Sequence, residues 1–239
     1  MVTKLTARAS QKNVTVAILD DHATIINGYL YEFEHTDHVK VVAAASYGEA
    51  LEPLLNEHHV DVLLLDINVP TSPTNPNPYP ILHLIPQLID RFPDLAILVI
   101  TGYNERPLIK AVMDAGANGY ILKSDTSAIL GLSAIVRSVA DGGVYLSEQA
   151  HKQLFLRRAD TPEPGLTSRQ LEALSLCAAY PTDSIEQLSK RLGVAHSTAR
   201  NLLSAAYLRL GVNSRMAAVT KARQLGMITP RDTSSHARL

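Results

Sequence analysis

The sequence predicts an α/β domain built on a parallel sheet, followed by a smaller, all-helical domain. In the first part of the chain, five strand-like runs alternate with helix-like segments, an order typical of a parallel sheet with helices on both faces. In the last part, apolar residues recur at the i, i+3 and i+4 spacing of helices. A chain of 239 residues has room for two domains of ordinary size.

The sheet is defined by five short runs rich in Val, Ile and Leu. They show little alternation of apolar and polar residues, which is typical of strands that are covered on both faces. The runs are 14–19 (VTVAIL), 39–44 (VKVVAA), 60–65 (VDVLLL), 96–101 (AILVIT) and 119–122 (GYIL). Pro86 lies inside the helix-like segment 81–92, and it predicts a late start or a kink there because proline lacks an amide hydrogen.

Polar side chains stand at the ends of four of these runs. They are Asp20 and Asp21 after the first, Asp66 after the third, Thr101 at the end of the fourth and Lys123 after the fifth. The carboxyl ends of parallel strands share one edge of the sheet, where ligands bind. Three converging carboxylates repel one another unless a hard cation such as Mg²⁺ neutralises them. We expect Asp21 and Asp66 to bind Mg²⁺ directly, Asp20 to bind it through water, and the Asn68 carbonyl to add a third protein oxygen.

The same set of residues suits phosphoryl transfer. A carboxylate beside Mg²⁺ can attack a phosphoryl donor and become an aspartyl phosphate. This chemistry depends mainly on positioning and on neutralising charge. Asp66 is the expected acceptor, the Lys123 ammonium is expected to pair with the phosphoryl oxygens, and the Thr101 hydroxyl is expected to hydrogen-bond to them.

The charge of the chain changes sign along its length. Residues 1–150 contain 9 Lys and Arg against 17 Asp and Glu, whereas residues 151–239 contain 13 against 6. The change coincides with a linker-like stretch, ADTPEPG, at 159–165. A basic domain of this kind favours a polyanionic partner such as double-stranded DNA.

The basic part has the pattern of a helix-turn-helix. Thr167 is the expected N-cap of its first helix. Residues 184–212 then predict a helix, a short turn at Gly193 and a second helix, the unit that places its second helix in the major groove of DNA. One stripe of that helix is apolar and is expected to face the core: Ala199, Leu202, Leu203, Ala206, Tyr207 and Leu210.

The remaining face of the second helix is the expected DNA-reading face. It carries Ser197, Arg200, Asn201 and Ser204. Arginine pairs bidentately with guanine and asparagine with adenine, so Arg200 and Asn201 are the expected base readers. Phosphate contacts are expected from the neighbouring basic side chains, Lys190, Arg191, Arg209 and Arg215.

These motifs resemble a known family. The first part is similar to the flavodoxin-like, CheY-like receiver domain of bacterial response regulators, through LDDH (19–22), VDVLLLDINVP (60–70), VITG (99–102) and GYILKSD (119–125). The last part resembles the LuxR-type helix-turn-helix, through LTSRQLEAL (166–174) and RLGVAHSTARNLLSAAYLRLGVNSRMAAV (191–219). Together they resemble the NarL/FixJ family of two-component transcriptional regulators.

The resemblance implies a set of functional expectations. Asp66 would be phosphorylated by a sensor histidine kinase, and Tyr120 would be the aromatic switch that moves inward with Thr101. The active form would be a homodimer, with a contact in 214–226. A phosphoaspartyl hydrolase of the haloacid-dehalogenase type is disfavoured because position 68, where it needs a second acid, is Asn. No enzyme activity is therefore expected.

The chain departs from the family pattern in three places. After Pro70 comes a proline-rich stretch, TSPTNPNPYP (71–80), which is expected to be extended and stiff and to form no tight turn. PTDS (181–184) replaces a glycine-containing turn, and Leu202 stands where many relatives carry His. The proline-rich stretch keeps an alternative open, in which the receiver is not phosphorylated and serves as a dimerisation or partner-docking module.

The expected division of the chain is a tail at 1–12, a receiver at 13–145, a linker at 146–165, a DNA-binding domain at 166–230 and a tail at 231–239. No run approaches the ~18 apolar residues of a membrane span, and the N-terminus lacks a secretory segment, so the cytoplasm is the expected location. The single cysteine, Cys177, is expected to be buried and inert.

Overall fold

The computed structural model describes residues 13–36, 38–155 and 165–230. The first two ranges contain a six-stranded sheet in which all neighbouring strands are parallel. Its strands are β1 (Val14–Leu19), β2 (Val39–Ala45), β3 (Val62–Leu65), β6 (Ala96–Thr101), β7 (Gly119–Leu122) and β8 (Tyr145–Leu146), in the spatial order β2-β1-β3-β6-β7-β8. Two further strands, β4 (Pro70–Ser72) and β5 (Asn75–Pro78), form a separate antiparallel pair.

Helices cover both faces of the parallel sheet. They are α1 (Ala23–Glu34), α2 (Leu51–Glu57), α3 (Ile81–Arg91), α4 (Arg106–Asp114), α5 (Thr126–Leu130), α6 (Leu132–Ala140) and α7 (Glu148–Phe155). Because successive side chains of a strand point to opposite faces, Leu63 and Leu65 join one buried cluster, while Val62 and Leu64 join the other with α1 and α6. The predicted flavodoxin-like α/β fold is therefore confirmed.

The sequence located the five main strands but missed a sixth. Strand β8 and helix α7 occupy 145–155, where the sequence led us to expect the end of the receiver and the first part of a linker over 146–165. Ser147 explains why this segment belongs to the sheet domain. Its amide donates to the Tyr120 carbonyl, and its hydroxyl accepts a hydrogen bond from the Leu122 amide. A two-residue strand is too short to give a periodic signal in the sequence.

The proline-rich stretch contains a tight turn, and the prediction of an extended segment without one is wrong. Strands β4 and β5 form a hairpin in which Ser72 pairs with Asn75, so the chain reverses at Pro73 and Thr74. Proline has the φ angle that the second position of a turn requires. The other prolines are tolerated because a two-stranded hairpin has edges where no amide hydrogen is needed. We call residues 70–78 the proline-rich hairpin.

Helix α3 begins at Ile81, five residues before Pro86, so the expectation of a late start is wrong. The amides of His83 and Leu84 both donate to the Pro80 carbonyl, which closes the first turn ahead of the proline. The helix then continues through Pro86 to Arg91.

The last described range is all helical, as predicted. Its helices are α8 (Ser168–Ala179), α9 (Ile185–Arg191), α10 (His196–Leu210) and α11 (Arg215–Gln224). Thr167 caps α8 as expected, in a capping box with Gln170. Between α9 and α10, Gly193 has a φ angle of +63°, a left-handed conformation that glycine adopts without strain. Cys177 is buried, and burial raises the pKa of its thiol to about 11.

Across the ranges that the structure describes, no helix combines the length and apolar character needed to span a bilayer.

Candidate functional site

The predicted acidic cluster lies at the carboxyl edge of the sheet. Asp20 follows β1 and Asp66 follows β3, and both side chains are buried. One carboxylate oxygen each from Asp20, Asp21 and Asp66, with one ring nitrogen of His22, lie within 4.8 Å of one another. The structure therefore brings together the three acids that the sequence placed at one edge.

Lys123 lies between the two buried carboxylates. Its Nζ donates to Asp20 Oδ2 at 2.7 Å and to Asp66 Oδ2 at 2.6 Å. Burial by itself would lower the pKa of Lys123, but the charge of Asp66 and the hydrogen bonds to both carboxylates raise it overall. The ammonium thus stays protonated and offsets the repulsion between the two acids.

Asp21 is the most exposed acid of the cluster. Its Oδ1 lies 2.7 Å from Nδ1 of His22. Burial raises the pKa of Asp21, the charge of His22 lowers it, and the charges of Asp66 and Asp20 raise it again, with a net increase. A carboxylate whose neighbours disfavour its charge gains most from a bound cation. The sequence pattern predicts no role for His22, although this residue directly follows the acid pair.

Two observations fit a divalent cation and a phosphoryl group at this edge. The donor set consists of carboxylates, which are the oxygen ligands that Mg²⁺ prefers. The hydroxyl of Thr101 is fully buried and finds no hydrogen-bond partner among the described residues. A buried hydroxyl without a partner costs free energy, so an incoming phosphoryl oxygen would satisfy it. The backbone N–H of Asn68 donates to Asp66 Oδ1 at 3.2 Å, which orients that carboxylate.

Tyr120 points into the protein. Its side chain is fully buried, and its hydroxyl donates to the Tyr103 carbonyl at 2.8 Å. Burial, followed by the charges of Glu105 and Asp66, raises the pKa of Tyr120 well above 10, so the phenol is neutral. The hydrogen bond joins β7 to the loop that follows Thr101. Its role as a switch stays a prediction.

The second site is the exposed face of α10. Ser197, Arg200, Asn201 and Ser204 are all exposed on it. The opposite stripe is buried or partly buried, as predicted, with Ala199, Leu203, Ala206 and Leu210 in the core. The helix therefore presents the four expected DNA-reading side chains together on one accessible surface.

The four expected phosphate-contacting side chains differ in their surroundings. Lys190 pairs with Glu186 one turn earlier and is exposed. Arg209 is exposed and donates to Gln170 Oε1 at 2.5 Å. Arg191 and Arg215 instead organise the turn before α9. Arg191 donates to Asp183 at 2.8 Å and stacks 3.5 Å above the Tyr180 ring, and Arg215 donates to the Asp183 carbonyl. Their role in contacting phosphates stays a prediction.

Comparison with known proteins places this geometry in a family. Residues 16–132 match the model of the response regulator receiver domain. The transcriptional regulatory protein YdfI of Bacillus subtilis is 30% identical over 221 residues, covering 90% of this chain and 97% of that protein. The oxygen regulatory protein NreC of Staphylococcus epidermidis is 31% identical over 175 residues, covering 68% of this chain and 76% of NreC.

Solved structures agree in fold. RcsB from Salmonella enterica serovar Typhimurium, bound to the promoter rprA with the phosphomimetic BeF₃⁻, superposes with a TM-score of 0.62 over 88% of this chain and 98% of RcsB, at 23% identity. At this level of identity, the likeness to RcsB is evidence for the fold alone. The sequence identity to YdfI, which extends along nearly the whole chain, is the evidence for the family. The chain belongs to the NarL/FixJ family of DNA-binding two-component response regulators.

Proposed function

We propose that this regulator accepts a phosphoryl group on Asp66 from a sensor histidine kinase and binds specific DNA sequences through α10. The observation that carries the first half is the Lys123 bridge between Asp20 and Asp66, next to a buried Thr101 hydroxyl that has no partner among the described residues. A phosphoryl group on Asp66 would find both a cation and a hydrogen-bond donor in place.

The proposed step needs little covalent chemistry from the protein. A carboxylate oxygen of Asp66 forms the new P–O bond while the P–N bond to the donor histidine breaks. The imidazole leaves with the electron pair of that bond and takes up a proton. Asp21 and Asp66 would hold a Mg²⁺ directly, with Asp20 through water and the Asn68 carbonyl, and the ion would neutralise charge on the phosphoryl oxygens. Lys123 and Thr101 would contact the remaining oxygens.

The part of the proposal that concerns DNA binding is supported by the exposed polar face of α10. Arg200 and Asn201 are exposed neighbours on a helix whose opposite stripe is buried, which is the arrangement that a major-groove helix needs. The proposed active form is a homodimer, so that two such helices read paired half-sites. One compared structure, at 24% identity, contains RcsB dimers bound to DNA. The relatives named above are regulators, and we propose no enzyme activity for this chain.

A footprinting experiment on genomic DNA tests the proposal as a whole. Fragments are incubated with the full chain, with and without acetyl phosphate and Mg²⁺. We expect protected sites that appear at lower protein concentration when the phosphodonor is present. Equal affinity under both conditions would favour the alternative in which the receiver works without phosphorylation, and no protected site would contradict DNA recognition by α10.

Arg200→Ala should weaken binding to the footprinted site by about 1–3 kcal/mol and relax its sequence preference, because a bidentate contact to a base edge is lost. Lys190→Ala is the matched control on the same domain. It is expected to weaken binding to all sequences alike and to reduce the salt dependence by about one unit of slope. The measurement is a titration of labelled DNA at several salt concentrations, and a uniform loss for Arg200→Ala would contradict base reading.

A further inference from the structure

Helix α8 is buried on almost its whole circumference. Of its twelve residues, nine are buried, including the polar side chains of Gln170, Glu172 and Ser175. A helix on the surface of a small domain normally buries one stripe, and a helix buried all round is covered from two sides. One side of α8 packs against α10 and α11, and the other packs against α3, α4 and β5 of the receiver.

The proline-rich hairpin supplies one part of the receiver surface. The Asn75 side-chain amide donates to the Ala179 carbonyl at 3.0 Å, at the end of α8, where helix carbonyls lack partners within the helix. The Tyr79 ring lies directly against Gly48, so close that a Cβ on Gly48 would be 2.1 Å from Tyr79 Cγ. Burial, and next the nearby Tyr180, raise the pKa of Tyr79 to about 12. Asn75 of the hairpin therefore contacts the end of α8, and Tyr79, directly after the hairpin, packs against the rest of the receiver.

Helix α3 supplies a buried hydrogen bond to α8. Nδ1 of His83 lies 2.7 Å from Glu172 Oε1, and the two side chains are only 11% and 6% exposed. Gln87 and Arg169 complete the group, at 2.9 Å from His83 Nε2 and 2.7 Å from Glu172 Oε2. Burial alone would raise the pKa of Glu172, but the hydrogen bonds and charges of His83 and Arg169 lower it overall, so the carboxylate is ionised.

We propose that the proline-rich hairpin and α3 form a clamp that holds α8, and with it the DNA-binding domain, against the receiver. The clamp is linked to Asp66, the proposed phosphorylation site, both along the chain and by packing. Ile67 and Val69, which follow Asp66, are fully buried in the cluster that also contains Leu174 of α8. The Val69 carbonyl accepts a hydrogen bond from the Tyr79 amide at 2.9 Å, which closes the base of the hairpin.

The clamp fixes orientation and leaves the DNA-reading face open. Ser197, Arg200, Asn201 and Ser204 remain exposed while α8 is held. The receiver therefore does not cover the DNA-reading side chains in this arrangement. The clamp instead restricts the orientation of α10 relative to the receiver. In a dimer, it would therefore restrict how the α10 helices of the two copies are placed relative to each other.

Thiol labelling of the full chain tests the clamp. Ser175 is 5% exposed and lies one turn after Glu172 on the face that meets the receiver, so Ser175→Cys introduces a nearly isosteric reporter. Cys177, 2% exposed, interacts with Arg215 and Tyr207 inside the DNA-binding domain and reports unfolding of that domain. Labelling with N-ethylmaleimide, followed by peptide mass spectrometry, gives both rates in one sample.

In this background, Asn75→Ala and Glu172→Gln are each expected to raise the labelling rate at position 175 about tenfold, the factor for losing a hydrogen bond to a charged or buried group. The rate at Cys177 should not change. Glu148→Gln and Glu186→Gln are the matched controls, because each removes the acid of an exposed i, i+4 pair that includes no residue of the clamp. They should leave both rates unchanged.

Two results would overturn the clamp. One is an unchanged rate at position 175 in both clamp variants. The other is a parallel rise at positions 175 and 177, since it would mean that α8 becomes accessible only when its own domain unfolds. The labelling requires no phosphodonor, so the outcome is independent of whether Asp66 is phosphorylated.

Discussion

Asp66→Asn is expected to abolish the mass gain of one phosphoryl group that the full chain shows after incubation with acetyl phosphate and Mg²⁺. An amide oxygen is a far weaker nucleophile than a carboxylate, and the substitution also removes one negative charge from the proposed Mg²⁺ site. Thr101 and Lys123 are not substituted in this variant, so the loss would trace to the Asp66 carboxylate itself. Intact-protein mass spectrometry measures it directly.

Asp114→Asn is the matched control for that experiment. Asp114 ends α4, is about half exposed and pairs with Lys110 on the protein surface, away from the acidic cluster. It should gain the phosphoryl mass as the parent chain does. If Asp66→Asn gained the same mass as the control, another residue would be the acceptor and the proposed chemistry would be wrong.

Lys123→Ala should give the second large effect, a loss of stability that Mg²⁺ restores. Without the ammonium, two carboxylates that are 2% and 5% exposed repel each other and lose the cation that hydrogen-bonds to both. Removing one partner of a buried ion pair costs about 3–5 kcal/mol, and the 21% exposure of Lys123 places this case near the lower end. A divalent cation bound by the same acids would replace the missing charge.

Thermal unfolding with and without millimolar Mg²⁺ measures this effect. The increase in Tm on adding Mg²⁺ should be larger for Lys123→Ala than for the parent chain, and Lys110→Ala, which breaks an exposed pair, should behave like the parent. A Lys123→Ala chain that is as stable as the parent in EDTA would contradict the role of the bridge. Because the folded pKa of Lys123 lies above its usual 10.5, the stabilisation is complete below that pH and is lost as pH rises through the folded pKa.

The sequence was sufficient to predict most of the sheet and the acidic edge. β1, β6 and β7 have the predicted bounds, because uninterrupted β-branched and leucine runs leave few alternatives to a strand covered on both faces. The proximity of Asp20, Asp66 and Lys123 follows from the rule that parallel strands end at one edge. The buried stripe of α10 is predicted by the i, i+3, i+4 spacing of its apolar residues, a signal that does not depend on contacts with the other domain.

What the sequence did not predict depends on contacts between distant segments. Hydrogen bonds between Ser147 and β7 hold β8 against the sheet, and no local sequence pattern predicts these bonds. The proline content of the hairpin predicts a stiff, extended segment, because it indicates which hydrogen-bond donors are lost but not where the chain reverses. His83 and Glu172 are 89 positions apart and each is an ordinary polar residue of a helix. Only the packing of two domains makes them a pair.

The near-complete burial of α8 has a consequence for work on separated halves of the chain. A fragment comprising 165–230 would expose to water a ridge of small and apolar side chains together with the Glu172 carboxylate, all of which the intact chain buries. An exposed apolar ridge promotes self-association, so the fragment should dimerise or aggregate through it at concentrations where the full chain does not. DNA affinities measured with the isolated fragment would then be those of a self-associated form that the full chain does not adopt.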